Sequence, residues 1–406
     1  MTKPLRIAWL APYPVSTLKP GVRLSRTPAQ EHSCSWIVNL ASALSQKQDV
    51  ELHLVTESTC LARPQEARQD GIVYHVMPSG LAVIGRGLPS WLPLEALTGF
   101  RRRARRLARL IQVLQPDLVH AHGTEAAYAR AACLSPFPCL ISIQGVITEY
   151  CKAEPCVAYR ILRHWEQYVV RRCQFFTCRT NFDNGFIREY NPTARIFDIA
   201  EAMHPVFFER EWQPPTDPII LFVGSFAARK GLDLLLRAFA LVRPRLPHAR
   251  LLVVGGSTGS QPSGLVRLIR DLRVESAVEF LGRQTAREIA AIQQRAQVFV
   301  LPSRIENSPN SLAEAMVAGL PVVATAVGGV PSMIREAETG WLVPPSSPNE
   351  LAERLVWVLQ HPAEAKTVGD RARLVARAQH HPETVAAQTL LAYREILSTH
   401  QRPRSA

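Results

Sequence analysis

Two glutamates, Glu306 and Glu314, stand eight positions apart in the stretch Ser303-Arg304-Ile305-Glu306-Asn307-Ser308-Pro309-Asn310-Ser311-Leu312-Ala313-Glu314-Ala315-Met316-Val317-Ala318-Gly319. A helix start is expected between them. Ser308 suits the N-cap and Pro309 the first helical position, where its missing N–H costs nothing. Gly319 suits the C-terminal stop, and Pro321 follows it. At helical spacing Asn310 and Ser311 share a face with Glu314, whereas Leu312, Ala315 and Met316 point to a core. Glu314 is the only charge between Glu306 and Arg335, and a buried carboxylate without partners is costly. Two vicinal hydroxyls of a ribose would satisfy it, and the helix N-terminus beside it suits a diphosphate. The plainer reading makes Glu306 a surface loop residue and Glu314 one half of a core ion pair.

The elements that must hold these residues repeat one arrangement. In the second half, short apolar runs at 219–223, 250–254, 278–281, 298–301 and 321–325 read as buried strands. They lead into a turn with Arg229-Lys230-Gly231 and a helix at 232–241, then into Gly255-Gly256, Gly282, Pro302-Ser303 and, a little later, Gly328-Gly329. In the first half, strands are expected at 6–11, 50–56, 72–77, 118–121 and 139–143, with 169–177 and 195–199 continuing the pattern. The strand at 118–121 ends at His122-Gly123 and that at 139–143 at Gln144-Gly145, while 35–44 reads as a helix. Strand ends that open into glycine turns build ligand crevices in doubly wound sheets. The Pro-rich segment 212–218 reads as a linker between the halves. Small-molecule sites favour the cleft between two such domains.

Composition narrows the class. A chain of 406 residues with 47% hydrophobic and 20% charged residues is a globular protein of two domains. Its first apolar run is short and stops at Pro12 and Pro14, unlike a signal peptide, and no stretch approaches the ~20 apolar residues of a membrane span. A cytoplasmic location is expected. All eight cysteines fall in the first half. Cys151/Cys156 and Cys173/Cys178 lack zinc-knuckle spacing, so reduced, packed thiols are expected and no metal.

The net charge of +13 is concentrated in Arg101, Arg102, Arg103, Arg105, Arg106 and Arg109. In helical register Phe100, Ala104, Leu107, Ile111 and Leu114 form the apolar face, and an apolar loop at 81–97 carries Trp91, Leu92 and Leu94 just upstream. Two readings stand: an anionic membrane surface contacted through 101–109, or an ordinary helix with a basic solvent face. No helix-turn-helix, zinc-finger or aromatic RNA-binding signature accompanies the charge, so nucleic acid is not an expected partner.

Taken in order, Phe222-Val223-Gly224-Ser225, Arg229-Lys230-Gly231, Leu252-Val253-Val254-Gly255-Gly256, Phe280-Leu281-Gly282, Leu301-Pro302-Ser303, Glu306…Glu314-Ala315-Met316, Gly319-Leu320-Pro321-Val322-Val323-Ala324, Gly328-Gly329-Val330-Pro331 and Thr339-Gly340-Trp341-Leu342-Val343 span residues 218–360. That series resembles the retaining glycosyltransferases of family 4. The first half resembles them more loosely, through Val119-His120-Ala121-His122 and Ile143-Gln144-Gly145. The implied fold is α/β GT-B, two Rossmann-like doubly wound domains facing a central cleft. Residues 1–210 would form the acceptor-binding domain, 211–218 the linker and 219–380 the nucleotide-sugar-binding domain. Residues 381–406 would be the family's last helix, crossing back to the N-terminal domain.

The resemblance implies roles residue by residue. Glu314 would accept hydrogen bonds from the nucleotide ribose, and Glu306 would contact hydroxyls of the transferred sugar. Arg229 and Lys230 would neutralise the diphosphate as it gains charge. The Ser308, Pro309, Asn310 and Ser311 backbone would hold the phosphates or the sugar, and His122 would touch the reacting sugar or orient the acceptor. Gly21, Gln144, Gly224, Ser225, Gly255, Gly282 and Arg283 complete the implied substrate-binding set. The plainer readings are a solvated turn for Arg229-Lys230 and satisfied polar side chains for His120 and His122.

There are departures from the family pattern. Gly224-Ser225 stands where Gly-Arg is common, Gly21 where a Gly-Gly pair is usual, Gln144 where a histidine often stands, and Ser332 where a glutamate is common. The chain contains no Asp-x-Asp. The expected activity is metal-independent, retaining transfer from a nucleotide-diphosphate sugar to a glycan or lipid-linked acceptor, in polysaccharide or glycolipid assembly and without cofactor. The alternatives are an epimerase of the same fold and a non-catalytic nucleotide-sugar-binding protein.

Overall fold

The computed structural model describes residues 3–18, 21–25, 34–79, 94–256 and 263–401. The expected apolar loop with Trp91 and Leu92 lies outside them. Residues Leu94–Leu97, read as part of that loop, form one helical turn.

The chain divides into two compact units, Met1–Ala202 with Pro382–Ala406, and Met203–His381. In the first, β1 (Leu5–Leu10), β2 (Val50–Ser58), β3 (Gln65–Gln69), β4 (Ile72–Pro78), β5 (Leu118–His122), β6 (Cys139–Ser142), β7 (Phe175–Cys178) and β8 (Arg195–Asp198) form one sheet in the order β3-β4-β2-β1-β5-β6-β7-β8. The pairings given for these strands are parallel except β3 with β4. The helices are α1 (Ser35–Ser45), α2 (Arg101–Leu114), α3 (Ala127–Leu134), α4 (Ile147–Ala153), α5 (Val157–Arg172) and α6 (Asn181–Tyr190).

Both faces of this sheet are covered. Ile7 and Trp9 pack with residues of α1, while Ala8 and Leu10 pack with Ala104, Leu107 and Ile111 of α2. Double coverage explains why β1 is a continuous apolar run and not an alternation.

Two expectations in this unit need correction. Residues 169–172 end α5, because Val169 and Val170 are its buried stripe; β7 begins only at Phe175. The antiparallel edge strand β3 went unread because Gln65-Glu66-Ala67-Arg68-Gln69 turns only Ala67 into the core. Polar edge strands of this kind resist edge-to-edge pairing with other chains.

In the second unit, β9 (Ile219–Gly224), β10 (Arg250–Gly255), β11 (Val278–Gly282), β12 (Val298–Leu301), β13 (Val322–Thr325) and β14 (Trp341–Val343) lie in the order β11-β10-β9-β12-β13-β14. Its longer helices are α7 (Leu232–Val242), α8 (Ser263–Asp271), α9 (Ala286–Gln293), α10 (Asn310–Ala318), α11 (Pro348–Gln360) and α12 (Pro362–His380). The segment 211–218, read as a linker, belongs to this unit. Trp212 is 1% exposed and donates its Nε1–H to Ala296 O, so an apolar anchor outweighs the polar, Pro-rich surroundings. The last helix, α13 (Pro382–Gln401), packs in the first unit beside α1.

Candidate functional site

Strand order reverses between β9 and β12 in the second sheet, and ligands of doubly wound sheets bind at the carboxyl ends of such a pair. The loops leaving those two strands bring Arg229, Lys230 and Glu306 together. Lys230 Nζ donates to Glu306 Oε1 at 2.5 Å, Ser303 Oγ donates to the same oxygen at 2.8 Å, and Arg229 lies 4.0 Å from Oε2. Glu306 is 4% exposed. The plainer reading of Glu306 as a surface loop residue is therefore excluded.

Backbone close approach fixes this cluster. Gly231 ends the Ala228–Lys230 turn with φ 67°, and a Cβ there would stand 1.9 Å from Pro302 O. Gly328, at φ 52°, passes the Glu306 carbonyl so closely that a Cβ would stand 1.9 Å from its oxygen. Gly329 N–H then donates to that same carbonyl at 3.1 Å. Arg304 clamps the cationic turn from behind: its N–H donates to Arg229 O, and its guanidinium bonds Ala228 O and both oxygens of Asp233. Arg304 holds the Asp233 carboxyl below its usual range. Sequence reasoning gave Arg304 and Asp233 no role, since 71 residues separate them.

Glu314 sits on α10, half-buried, and no side chain among the described residues pairs with it. Burial pushes its carboxyl up to about 8, so the proposed core ion pair is absent among the described residues. The helix start also differs from expectation. Pro309 is the cap residue and Asn310 begins the helix, while Ser308 Oγ reaches Met333 Sδ at 3.9 Å and not a backbone N–H. Gly319 ends the helix at φ 86° as read. Asn310 and Ser311 are half-buried at the helix start, where first-turn N–H groups lack intrahelical acceptors.

Gly224 and Ser225 follow β9, Gly255 ends β10 at φ 122° against Gly224 O, and Gly282 and the exposed Arg283 close β11. Gly21 belongs to the first unit, where it lies in an exposed turn against Ala67 of β3.

In the first unit His122 ends β5, buried edge-on against Trp9, its ring centroid 4.5 Å away. Gln144 Nε2 lies 3.5 Å from His122 Nδ1 and can only donate, so the ring proton belongs on Nε2. That Nε2 has no hydrogen-bond partner among the described residues. It borders a cavity of about 30 Å³, enough for one water, lined also by Trp36, Gln144, Thr177, Arg179 and Glu201. Burial, with His120 and Arg179 adding to it, holds the imidazole well below its ordinary range, so the ring is neutral. Arg179 pairs with Glu201, and neither was read from the sequence.

His120 is a satisfied core residue. Trp9 Nε1 and Tyr393 Oη reach its Nδ1 at 2.6 and 2.7 Å, and Ser142 Oγ meets Nε2 at 2.7 Å.

The chain matches the family described as Glycosyltransferase Family 4 over residues 35–199 and that described as Glycosyl transferases group 1 over residues 206–375. The chain belongs to glycosyltransferase family 4. This family-4 protein is 32% identical over 194 residues to a D-inositol 3-phosphate glycosyltransferase of Mycolicibacterium paratuberculosis, covering 47% of this chain and 43% of that one. It is 37% identical over 176 residues to the same-named protein of Corynebacterium aurimucosum, covering 42% of this chain and 41% of that one. The match thus spans less than half the length of these relatives.

Among solved structures, a sucrose-phosphate synthase from Thermosynechococcus elongatus superposes with a TM-score of 0.77 at 21% identity, over 97% of this chain and 100% of that one. Anabaena Alr3699/HepE in complex with UDP and glucose gives 0.68 at 15% identity, over 96% and 99% of the two chains. The family-4 protein has the GT-B fold, built from two parallel-sheet α/β units.

The basic helix α2 of this family-4 chain is divided in its roles. Arg103 bonds Glu57 and Glu95, and Arg106 bonds Glu57 and Pro78 O, with Glu57 nearly inaccessible. Only Arg101, Arg102, Arg105 and Arg109 are exposed. The expected basic surface is therefore four arginines and not six. Among the described residues no helix is long and apolar enough to cross a membrane.

Proposed function

We propose that this chain transfers a sugar from a nucleoside-diphosphate sugar to a hydroxyl of a glycan or lipid-linked acceptor, with retention at the anomeric carbon and without a metal ion. The observation carrying this reading is the Arg229-Lys230 turn meeting Glu306 where the order of the second sheet reverses. A diphosphate bound there competes for Lys230 and Arg229 and releases Glu306 Oε1 for the hydroxyls of the sugar. The α10 N-terminus adds N–H donors for the phosphates, and Glu314 accepts from the ribose. When the bond between the anomeric carbon and the phosphate oxygen breaks, its electron pair stays on the diphosphate. The two cationic side chains stabilise that charge, the work a divalent cation does elsewhere. The acceptor oxygen attacks from the face the diphosphate leaves and gives it its proton.

His122 Nε2–H, neutral and unsatisfied, serves as a hydrogen-bond donor to a sugar or acceptor hydroxyl and not as a general base. Relatives named as D-inositol 3-phosphate glycosyltransferases and a neighbour solved with UDP-glucose support a nucleotide-sugar donor. The exposed arginines of α2 suit a lipid-linked acceptor at the cytoplasmic membrane face; failure to bind anionic vesicles at low salt would remove that part.

The deciding experiment offers a panel of UDP-, GDP- and ADP-sugars with candidate acceptors and follows products by mass, comparing the wild type with Glu306→Gln. Transfer by the wild type and its loss in the variant are expected. Unchanged transfer by the variant overturns the assignment of Glu306, and an epimerised donor formed without acceptor would mark the enzyme as an epimerase.

A further inference from the structure

Three cysteines that no spacing motif connects meet on one face of the first unit. Cys133 lies in the last turn of α3, Cys139 opens β6, and Cys173 is the residue that ends α5. The sulfurs of Cys133 and Cys173 are 2.6 Å apart, and Cys139 Sγ lies 4.0 Å from that of Cys173. All three are free thiols. Cys173 is buried, and Cys133 and Cys139 are partly buried, so the group lies at the edge of the core. The described residues offer no set of side chains arranged to hold a metal ion, which leaves sulfur chemistry.

The three thiols are not equivalent. Cys133 and Cys173 sit at the electron-rich C-terminal ends of helices, where negative charge is disfavoured, and Cys173 N–H is committed to Val169 O. Cys139 is on a strand and free of that effect. Its side-chain contacts with Cys133 and Cys173 hold its thiol well below the usual range; the same contacts push Cys133 and Cys173 up. A thiolate is the reactive form towards peroxide.

We propose that Cys133, Cys139 and Cys173 form a peroxide-reactive site that closes a disulfide between Cys133 and Cys173. The Cys139 thiolate attacks one oxygen of hydrogen peroxide, the O–O bond breaks, and a sulfenic acid and hydroxide form. Cys173 attacks the Cys139 sulfur and gives its proton to the departing hydroxyl, which leaves as water with a Cys139–Cys173 disulfide formed. Cys133 then attacks the Cys173 sulfur, its proton passing to the hydroxide, and Cys139 leaves as thiolate. Two thiols lose two electrons in total, and one peroxide becomes two waters. The product ties the end of α3 to the end of α5 and returns Cys139 to its starting state.

The test oxidises the full-length, freshly reduced protein with stoichiometric hydrogen peroxide and reads the intact mass and a non-reducing peptide map. Loss of two hydrogens, with a link between the peptide carrying Cys133 and that carrying Cys173, is expected. Cys139→Ser should slow formation of the same link by about tenfold or more, and Cys133→Ser should divert it to Cys139–Cys173. A map showing sulfinic acid at Cys133 or Cys139 with no link overturns the proposal. So does faster oxidation of the exposed Cys156 than of this cluster, and neither wild-type readout depends on any variant folding.

Discussion

Lys230 Nζ and Glu306 Oε1 lie 2.5 Å apart, although 76 residues separate them in sequence. Each satisfies the other, and among the described residues only Ser303 and the more distant Arg229 share the load. Removing Lys230 leaves a buried carboxylate short of a partner. Lys230→Met is expected to destabilise the second unit by about 2–4 kcal/mol in urea unfolding, and to reduce transfer by roughly two orders of magnitude or more. Lys230→Met combined with Glu306→Leu should recover most of the stability and none of the transfer. If the double variant is no more stable than the single one, the pair is not what holds these loops.

Gly231 and Gly328 are required by close approach and not merely by turn preference. Alanine at either site places a carbon 1.9 Å from a carbonyl oxygen, of Pro302 or of Glu306. Backbone there must move, so each substitution should cost about 2–4 kcal/mol and weaken nucleotide binding in calorimetry. Gly185, within α6, has nothing near the added carbon. Gly185→Ala should stabilise by about 0.5–1 kcal/mol, measured as a higher urea midpoint.

Glu314 is expected to link donor binding to pH. Its carboxyl in the folded chain titrates near 8, above its ordinary 4.5, because burial disfavours the charge. The folded state thus holds a proton that the unfolded chain releases, so the contribution of Glu314 to stability falls as pH rises between those values. Ribose hydroxyls that donate to the carboxylate require that proton to leave. Affinity for a nucleoside-diphosphate sugar should therefore rise up to about tenfold per pH unit towards pH 8. Titration calorimetry in buffers of different ionisation enthalpy would show a proton released on binding. Glu314→Gln should abolish both effects, and an unaltered pH slope would remove Glu314 from the ribose contact.

His120 makes the first unit acid-labile. Burial lowers its imidazole from 6.5 to about 3, so the folded state excludes a proton that the unfolded chain binds. The sign is the usual one for a buried neutral histidine: stability is intact above 6.5 and declines by about 1.4 kcal/mol per pH unit below it. Unfolding curves taken between pH 7 and pH 4.5 should show that slope. His120→Asn should flatten it while lowering stability at neutral pH, because Trp9 and Tyr393 lose their shared acceptor.

The sequence made the second unit far more legible than the first. Strand ends opening into glycine turns placed Arg229, Lys230 and Glu306 because continuous apolar runs and punctuating glycines both follow from local chain physics. What escaped notice was long-range pairing. Arg304 with Asp233 and Arg179 with Glu201 are ordinary charged residues until the fold brings them together. Boundaries were misread where one anchor outweighed composition, as with Trp212 inside a polar segment, or where a helix stripe imitated a strand, as at Val169 and Val170. Two of the six arginines of the basic helix were misjudged for the same reason: nothing near Arg103 or Arg106 in the chain signals that Glu57 waits beneath them.

The helix α13 belongs to the unit built from the opening residues, and Tyr393 on it reaches the His120 ring. On the ribosome, residues 203–381 emerge as one uninterrupted run and can settle while the earlier-made half still waits for its closing segment. That half is completed last although it is begun first, which leaves the hydrophobic flank that α13 will cover open throughout elongation. Nascent chains stalled before residue 382 should accordingly recruit chaperones at α1 in preference to any surface of residues 203–381.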